Sequence, residues 1–354
     1  MTTTISQLLE ERGHLLADGA TGSNLFGMGL QTGDSPELWN HDHPDRIGHL
    51  YRSFIDAGSD IILTNTFGGN RYRLKLHNAE HRVEELNQAA VAIAQDQIRQ
   101  SGRKVLIGGS IGPTGEILEP LGPLSISDAA AAFEQQATAL AEAGADVIWI
   151  ETMSSKEEAT AAVLGASKTG LPIVTTYSVD TNGRTMMGLT PADIVAFTQE
   201  LKTAPFAIGA NCGVGGSESI AAIMNMAHAA AEQNLNPVIV VKANCGVPEY
   251  IDGKIVYSGS IDIMARYARL AIDAGAHIIG GCCGTTPLHV AKMRQSIDQH
   301  EPQDPPTLDA IERELGEVSA GAKAQLRGEM SVAAGALSER GRNASQKRRR
   351  RRSS

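Results

Sequence analysis

The stretch DAGAHIIGGCCG, residues 273–284, combines a helix end, an apolar run and a pair of cysteines. A glycine just after a helical segment, followed by a short turn and a β-branched run, is typical of a helix that stops before a buried strand. Neighbouring side chains of a regular strand point to opposite faces, so only a distorted strand end brings two adjacent thiols to one point. The flanking glycines permit such a distortion. The stretch therefore predicts a helix-to-strand unit with a thiol site at its end.

The same transition recurs at residues 56–60 (DAGSD) and 142–146 (EAGAD), each time before an Ile- or Val-rich run. Near-continuous hydrophobicity of this kind is typical of parallel strands that helices cover on both faces. The sequence predicts eight strands, at residues 15–20, 61–67, 105–110, 147–152, 173–178, 207–212, 238–245 and 278–284. Helical segments follow them at about residues 45–57, 80–100, 127–143, 155–168, 191–203, 217–233, 260–274 and 288–299.

Eight βα units over residues 1–300 predict a (β/α)8 TIM barrel, with a doubly wound open sheet as the alternative. Two long loops, at residues 22–44 and 111–127, leave the C-terminal ends of strands, where the active sites of such barrels lie. Residues 301–354 form a polar C-terminal extension with one short helical stretch near 307–318 and a basic end, KRRRRR at 347–352. Its composition predicts a largely disordered segment.

Composition excludes several classes of protein. The 354 residues are 42% hydrophobic and 20% charged, which is typical of a globular protein. Residues 1–300 contain 20 Lys+Arg and 32 Asp+Glu, and their net charge of −12 argues against nucleic-acid binding by the barrel. We find neither an apolar run of about 18 residues, which a membrane span requires, nor a secretory signal at the N-terminus. The expected location is the cytoplasm, where clustered cysteines are more often metal-binding or catalytic than disulfide-bonded.

Three cysteines fall at predicted C-terminal strand ends: Cys212, Cys282 and Cys283. Thiolates are preferred ligands of Zn²⁺, and three protein ligands leave the fourth tetrahedral position open for a substrate. A fourth cysteine, Cys245, lies in a similar Asn-Cys-Gly setting on the neighbouring strand. With Cys245 as a ligand the site would be closed and structural. That alternative describes a non-catalytic, zinc-stabilised binding module with a basic tail.

An open zinc site predicts chemistry on sulfur. A free thiol has a pKa near 8.5 and is mostly protonated at neutral pH, whereas a thiol bound to zinc is deprotonated. The bound thiolate is a nucleophile. Because zinc is not redox-active, transfer of an alkyl group to sulfur is the reaction class that this site favours.

Polar residues end other predicted strands on the same rim. Asp18 ends the first strand and Glu151 the fourth, and two carboxylates suit the ammonium group of a substrate. Asn65 and Thr66 end the second strand and Ser110 the third. We expect these three to supply neutral hydrogen bonds to a substrate.

With these residues in place, the chain resembles the homocysteine S-methyltransferase family over about residues 10–300. The resemblance implies a zinc-dependent barrel that converts homocysteine to methionine, with Cys212, Cys282 and Cys283 as zinc ligands and Asp18 and Glu151 at the homocysteine amino group. It rests on the motifs DGATG at 18–22, TNTF at 64–67, GPTGE at 112–116, ET at 151–152, GANC at 209–212 and GGCCG at 280–284.

Within this family, the chain is similar to stand-alone bacterial enzymes of the betaine–homocysteine type, which implies betaine as the methyl donor. A quaternary ammonium donor is recognised by an aromatic cage, for which Trp39 is the first candidate, with Tyr72 and Tyr177 beside it. The resemblance leaves S-methylmethionine and a methyl-corrinoid or folate partner protein as alternative donors. A homo-oligomer also remains open.

Overall fold

A computed structural model describes residues 4–180, 182–251 and 254–329 of the chain. The strands are β1 (Leu15–Leu16), β2 (Ile61–Leu63), β3 (Leu106–Ile111), β4 (Val147–Met153), β5 (Ile173–Tyr177), β6 (Ala207–Cys212), β7 (Val238–Ala243), β8 (Pro248–Ile251), β9 (Lys254–Tyr257) and β10 (Ile278–Gly281). Eight of them pair in parallel in the order β1-β10-β7-β6-β5-β4-β3-β2. A parallel bridge between Ala17 and Ile61 joins the two ends of this order. The predicted (β/α)8 barrel is confirmed.

Helices surround the barrel. They are α1 (Ile5–Arg12), α2 (Gly22–Gly27), α3 (Trp39–Asp42), α4 (Pro44–Asp56), α5 (Arg71–Lys75), α6 (Val83–Ser101), α7 (Ile126–Glu142), α8 (Lys156–Ala166), α9 (Pro191–Thr198), α10 (Gly216–Glu232), α11 (Ile261–Asp273), α12 (Pro287–Asp298), α13 (Leu308–Leu315) and α14 (Ala320–Leu326). Short 3-10 helices lie at Pro36–Leu38, Glu80–Arg82 and Ser167–Thr169. Among the helices of the described residues, none combines the length and the hydrophobicity that a membrane crossing requires.

Alternate residues of each strand enter two separate apolar layers. Trp149 and Val240 pack inside the barrel, and α1 contributes Ile5 and Leu8 to this inner layer. Their strand neighbours face the helices, as Ile148 does. Because the side-chain period of a strand is two, Glu151 and Lys242 should also face inward, two residues beyond Trp149 and Val240. The hydrophobic pattern thus directs charged side chains into the C-terminal mouth of the barrel.

An ion-pair cluster on Asp60 joins the first and last helices of the barrel to its strands. The Asp60 carboxylate accepts a hydrogen bond of 2.7 Å from the Leu16 N–H, pairs with Arg12 of α1, and lies 3.2 Å from Arg294 of α12. Its side chain is 1% exposed. Asp60 therefore connects the elements at which the barrel closes.

Replacing Asp60 with alanine is expected to lower the free energy of unfolding by about 3 kcal/mol, because it removes one partner of a buried ionic cluster. Urea denaturation measures the change. Asp56→Ala is the control, since the exposed Arg52–Asp56 pair within α4 should contribute less than about 1 kcal/mol. Equal midpoints for the two variants would contradict the role of Asp60.

A hairpin and the last helix, α14, differ from the sequence-based expectation. The antiparallel pair β8–β9 follows β7 and adds no strand to the barrel. In the C-terminal extension, α13 lies within the helical stretch predicted near residues 307–318, whereas α14 was not predicted; the two helices bury Ile311, Val318 and Ala322 against the barrel helices. Apolar side chains in a polar segment explain this difference. The remainder of the extension, including the basic run, lies outside the described residues.

Candidate active site

The two adjacent cysteines lie where β10 gives way to a turn. The Cys282 N–H still donates to the Ala243 carbonyl of β7 at 2.7 Å, as in a sheet. The Cys283 N–H instead donates to Asn244 Oδ1 at 3.0 Å, and the Thr285 N–H closes a turn on the Cys282 carbonyl at 3.1 Å. The strand has therefore ended, and neighbouring thiols no longer point to opposite faces.

Cys212 reaches the same point from the end of β6. Its backbone φ is 63°, in the left-handed region that non-glycine residues seldom adopt. Asn211 fixes this turn, because its side chain accepts from the Thr152 N–H at 2.8 Å and from Thr176 Oγ1 at 2.7 Å. The Sγ atoms of Cys212, Cys282 and Cys283 all lie within 4.8 Å of one another. The fold thus groups the three thiols that the sequence singled out.

Cys245 does not belong to this cluster. Its thiol lies 3.1 Å from the Gly259 carbonyl oxygen and 3.4 Å from His289 Nε2. Burial raises the pKa of the Cys245 thiol to about 11, so it remains protonated. The closed four-thiolate site, which the sequence left open, is therefore wrong for this fold.

The clustered thiols do not ionise independently. Hydrogen bonds from Cys282, and then from Cys283, lower the pKa of Cys212. The contact with Cys212 in turn raises the pKa of both Cys282 and Cys283. The three thiols are therefore electrostatically coupled, and holding three thiolates together requires a cation.

A carboxylate on each of two strand ends lies near the thiols. Asp18 is buried, and both of its oxygens are engaged: Oδ1 lies 2.6 Å from Lys242 Nζ and Oδ2 accepts from the Leu63 N–H at 2.7 Å. Glu151 Oε1 accepts from Ser110 Oγ at 2.6 Å. Burial raises the pKa of Glu151, whereas Lys242 and the Ser110 hydrogen bond lower it. Both oxygens of Asp18 therefore have partners within the protein, whereas Glu151 binds Ser110 through Oε1.

A cavity of about 340 Å³ opens at this rim, and we call it the rim cavity. The three clustered cysteines, Ser110, Glu151 and Lys242 line its inner part. Residues of the segments that follow β1 and β2, among them Asp34, Glu37, Phe67 and Arg73, line its outer part. The long loop after β1 thus shapes the cavity, as its position after a barrel strand predicts.

The predicted neutral hydrogen-bonding residues divide between the cavity wall and the layer behind it. Asn65 borders the cavity, but its side-chain N–H groups donate to the Pro36 carbonyl at 2.7 Å and to Asn40 Oδ1 at 2.9 Å. Thr66 is fully buried and donates to the Ser110 carbonyl at 2.7 Å. The contacts of Asn65 hold the loop after β1, and the contact of Thr66 holds the end of β3. Contact of Asn65, Thr66 or Asp18 with a substrate stays a prediction.

The three aromatic candidates for a donor cage do not meet at the rim cavity. Trp39 is buried beside His43, at 4.7 Å between ring centroids, with the Arg46 guanidinium 4.9 Å from its ring. Tyr177 is buried in the core, and Tyr72 borders a separate surface groove. Among the described phenylalanine, tyrosine and tryptophan residues, Phe67 lines the cavity, and it is 38% exposed.

A family model described as Homocysteine S-methyltransferase matches residues 15–297. The chain belongs to this family. The match covers every strand of the barrel and includes the cysteine cluster, Glu151 and Lys242. The resemblance inferred from the motifs is therefore confirmed.

Individual relatives agree with this assignment. Over 312 residues the chain is 28% identical to methionine synthase of Mycobacterium tuberculosis, a match that covers 83% of the chain and 25% of that protein. Methionine synthase of Mycobacterium leprae is 27% identical over 300 residues. The chain spans about a quarter of the length of these relatives. The metallated homocysteine methyltransferase MmuM of Escherichia coli shares the fold, with a TM-score of 0.67 at 23% identity over 81% of this chain and 98% of that one.

The homocysteine S-methyltransferase family is in general zinc-dependent, and the donor set of this chain fits zinc. Three soft thiol ligands converge within 4.8 Å, whereas hard cations such as Mg²⁺ prefer oxygen ligands. The cluster borders a cavity, so a fourth position would face a substrate. The residues that would hold the metal are Cys212, Cys282 and Cys283.

The sequence did not identify two residues that lie near the cluster, Lys242 and Tyr257. Lys242 lies within the apolar run of β7, and a lysine in such a run is itself a signal of a buried ion pair. Tyr257, at the end of the hairpin, interacts with Cys283, and its ring packs over Gly284. Tyr257 follows no predicted strand, so nothing in its local sequence pointed to the site.

Proposed function

We propose that the protein is a zinc-dependent homocysteine S-methyltransferase that forms methionine with betaine as the methyl donor. The observation that carries the proposal is the cluster of three thiols beside Glu151 and Lys242 in one cavity. Membership of the homocysteine S-methyltransferase family supports the choice of acceptor.

The chain's own residues hold the acceptor in place. Cys212, Cys282 and Cys283 would bind zinc, which when bound lowers the pKa of a coordinated thiol so that the thiolate exists at neutral pH. Glu151 Oε2 accepts a hydrogen bond from the ammonium group of the amino acid, because Oε1 already accepts one from Ser110. Ser110 thereby fixes the orientation of that carboxylate.

The transfer itself forms one bond and breaks one. The acceptor sulfur bonds to the methyl carbon while the carbon–nitrogen bond of betaine breaks, and the electron pair of that bond remains on the departing tertiary amine. This step needs no general acid or base. The cavity of about 340 Å³ holds both small molecules together, and such proximity removes the entropic cost of a bimolecular encounter.

The outer part of the rim cavity suits a small zwitterionic donor. Phe67 presents a ring against which an onium group can pack, although the cage predicted from Trp39, Tyr72 and Tyr177 does not line the cavity. Asp34 and Arg73 supply one negative and one positive side chain in the same wall. A methyl group delivered by a separate corrinoid or folate protein is the second candidate, since the matched methionine synthases are more than three times as long as this chain.

A donor panel tests the proposal. Zinc-loaded protein and homocysteine are incubated with betaine, S-methylmethionine, methylcobalamin or methyltetrahydrofolate, and methionine is measured by mass spectrometry. We expect methionine with betaine. If methionine formed only with another donor, betaine as the donor would be wrong and homocysteine as the acceptor would stand. An absence of methionine with every donor would overturn the proposed function.

A further inference from the structure

Lys242 is the buried cation beside the thiol cluster, and the mechanism above leaves it without a role. It lies in β7 with 2% of its side chain exposed, and it lines the rim cavity. Its backbone pairs with Gly280 of β10, where an added Cβ would lie 2.9 Å from Lys242 Cγ. The absence of a side chain at Gly280 thus makes room for the lysine stem inside the barrel.

Lys242 has hydrogen-bonding capacity that the protein does not use. A lysine ammonium carries three N–H donors. Among the described residues, the hydrogen bond of Lys242 Nζ goes to Asp18 Oδ1 at 2.6 Å, and the nearby Trp149 ring lies 5.6 Å away at its centroid. Two donors therefore remain for a molecule in the cavity. Burial opposes the positive charge, but Asp18 and Glu151 raise the pKa of Lys242, so the ammonium stays charged.

Asp18 is placed to hold Lys242. Both of its oxygens are engaged within the protein, and it does not border the rim cavity. Within the described residues, Glu151 uses Oε1 for Ser110, and its Oε2 is the carboxylate oxygen left without a hydrogen bond at the inner cavity. The inner part of the cavity thus offers an amino acid one anionic group, Glu151, and one cationic group, Lys242.

We propose that Lys242 binds the carboxylate of the acceptor amino acid and that Asp18 is the positioning residue that orients the Lys242 ammonium. This inference rests on the proposed function and extends it to the recognition of the acceptor. Glu151 and Lys242 together then select a thiol that carries both an ammonium and a carboxylate group. Asn211, Lys242 and Gly280 share one level of the sheet, directly below the thiol cluster, which places the ammonium within reach of a short amino acid.

The test compares homocysteine with 3-aminopropane-1-thiol, which lacks only the carboxylate. Binding of each thiol to zinc-loaded protein is measured by calorimetry, and kcat/KM is measured with the donor that supports turnover. We expect the wild-type protein to prefer homocysteine by about 100-fold, because 3-aminopropane-1-thiol cannot form the charge-assisted hydrogen bond with Lys242. In Lys242→Met this preference should fall to about threefold or less, through weaker binding of homocysteine alone.

The double variant Asp18→Asn/Lys242→Met is the matched control, since it removes both charges and avoids an unpaired buried carboxylate. It should show the same loss of preference with unchanged zinc content. The role of Lys242 would be overturned if the variants bound homocysteine and 3-aminopropane-1-thiol equally more weakly. It would also be overturned if both variants kept the preference for homocysteine. Binding selectivity without turnover would instead indicate that the proposed methyl transfer fails while the recognition stands.

Discussion

Replacing Cys283 with alanine is expected to release the metal and to lower the rate of methionine formation by at least about 10³-fold. The three thiols lie within 4.8 Å of one another, and the variant keeps only two of the three protein ligands that a catalytic zinc site uses. Without the metal the acceptor thiol keeps its ordinary pKa and remains mostly protonated at neutral pH. Metal analysis after dialysis against a chelator, together with a methionine assay, measures both effects.

Cys245→Ala is the matched control for this variant. The Cys245 thiol is also buried and also lies at a strand end, but its contacts are with the Gly259 carbonyl and His289. This variant should keep its zinc and stay within about threefold of wild-type activity, at a cost in stability of about 1 kcal/mol. Zinc retained in Cys283→Ala, or lost in Cys245→Ala, would contradict the assignment of the ligands.

Replacing Glu151 with glutamine should lower kcat/KM for homocysteine by about 100-fold, because the ammonium of the acceptor loses a buried, charge-assisted partner. The effect should depend on the substrate's amino group. With 4-mercaptobutanoate, which lacks that group, the variant and the wild-type protein should differ by no more than about threefold. Steady-state kinetics with the two thiols measures the difference.

Glu158→Gln separates recognition from stability. Glu158 is likewise a buried carboxylate, and it accepts hydrogen bonds from the Thr114 N–H at 2.8 Å and Thr114 Oγ1 at 2.7 Å, outside the rim cavity. Its loss should reduce stability and leave the preference between the two thiols unchanged. If Glu151→Gln impaired both thiols to the same degree, Glu151 would be a structural residue.

The barrel and the thiol cluster were predictable because their signals are local. Each buried run is continuous in the chain, and a glycine after a helix marks the approach to β2, β4 and β10. The glycines on both sides of Cys282–Cys283 indicate a distorted strand end from the sequence alone. The assignment of Cys212 needed only the count of strands, since parallel barrel strands end at one rim.

The contacts that depend on distant residues were not predictable. Lys242 and Asp18 are 224 positions apart. The sequence therefore identified Asp18 as an acidic residue at a strand end but not Lys242 as its partner. The aromatic candidates were chosen by residue type, yet the burial of Trp39 and Tyr177 depends on packing that one sequence does not reveal. Phe67, which does line the cavity, appeared only as part of a motif.

The backbone at Cys212 sets two properties of the protein against each other. Its left-handed conformation, φ 63°, costs an ordinary residue about 1–2 kcal/mol, whereas glycine adopts it freely. The substitution that would relieve this strain removes a thiol from the cluster. Selection for thermal stability and selection for metal binding therefore act in opposite directions at one position. The hydrogen bonds of Asn211 to Thr152 and Thr176 are what allow the chain to keep a cysteine there.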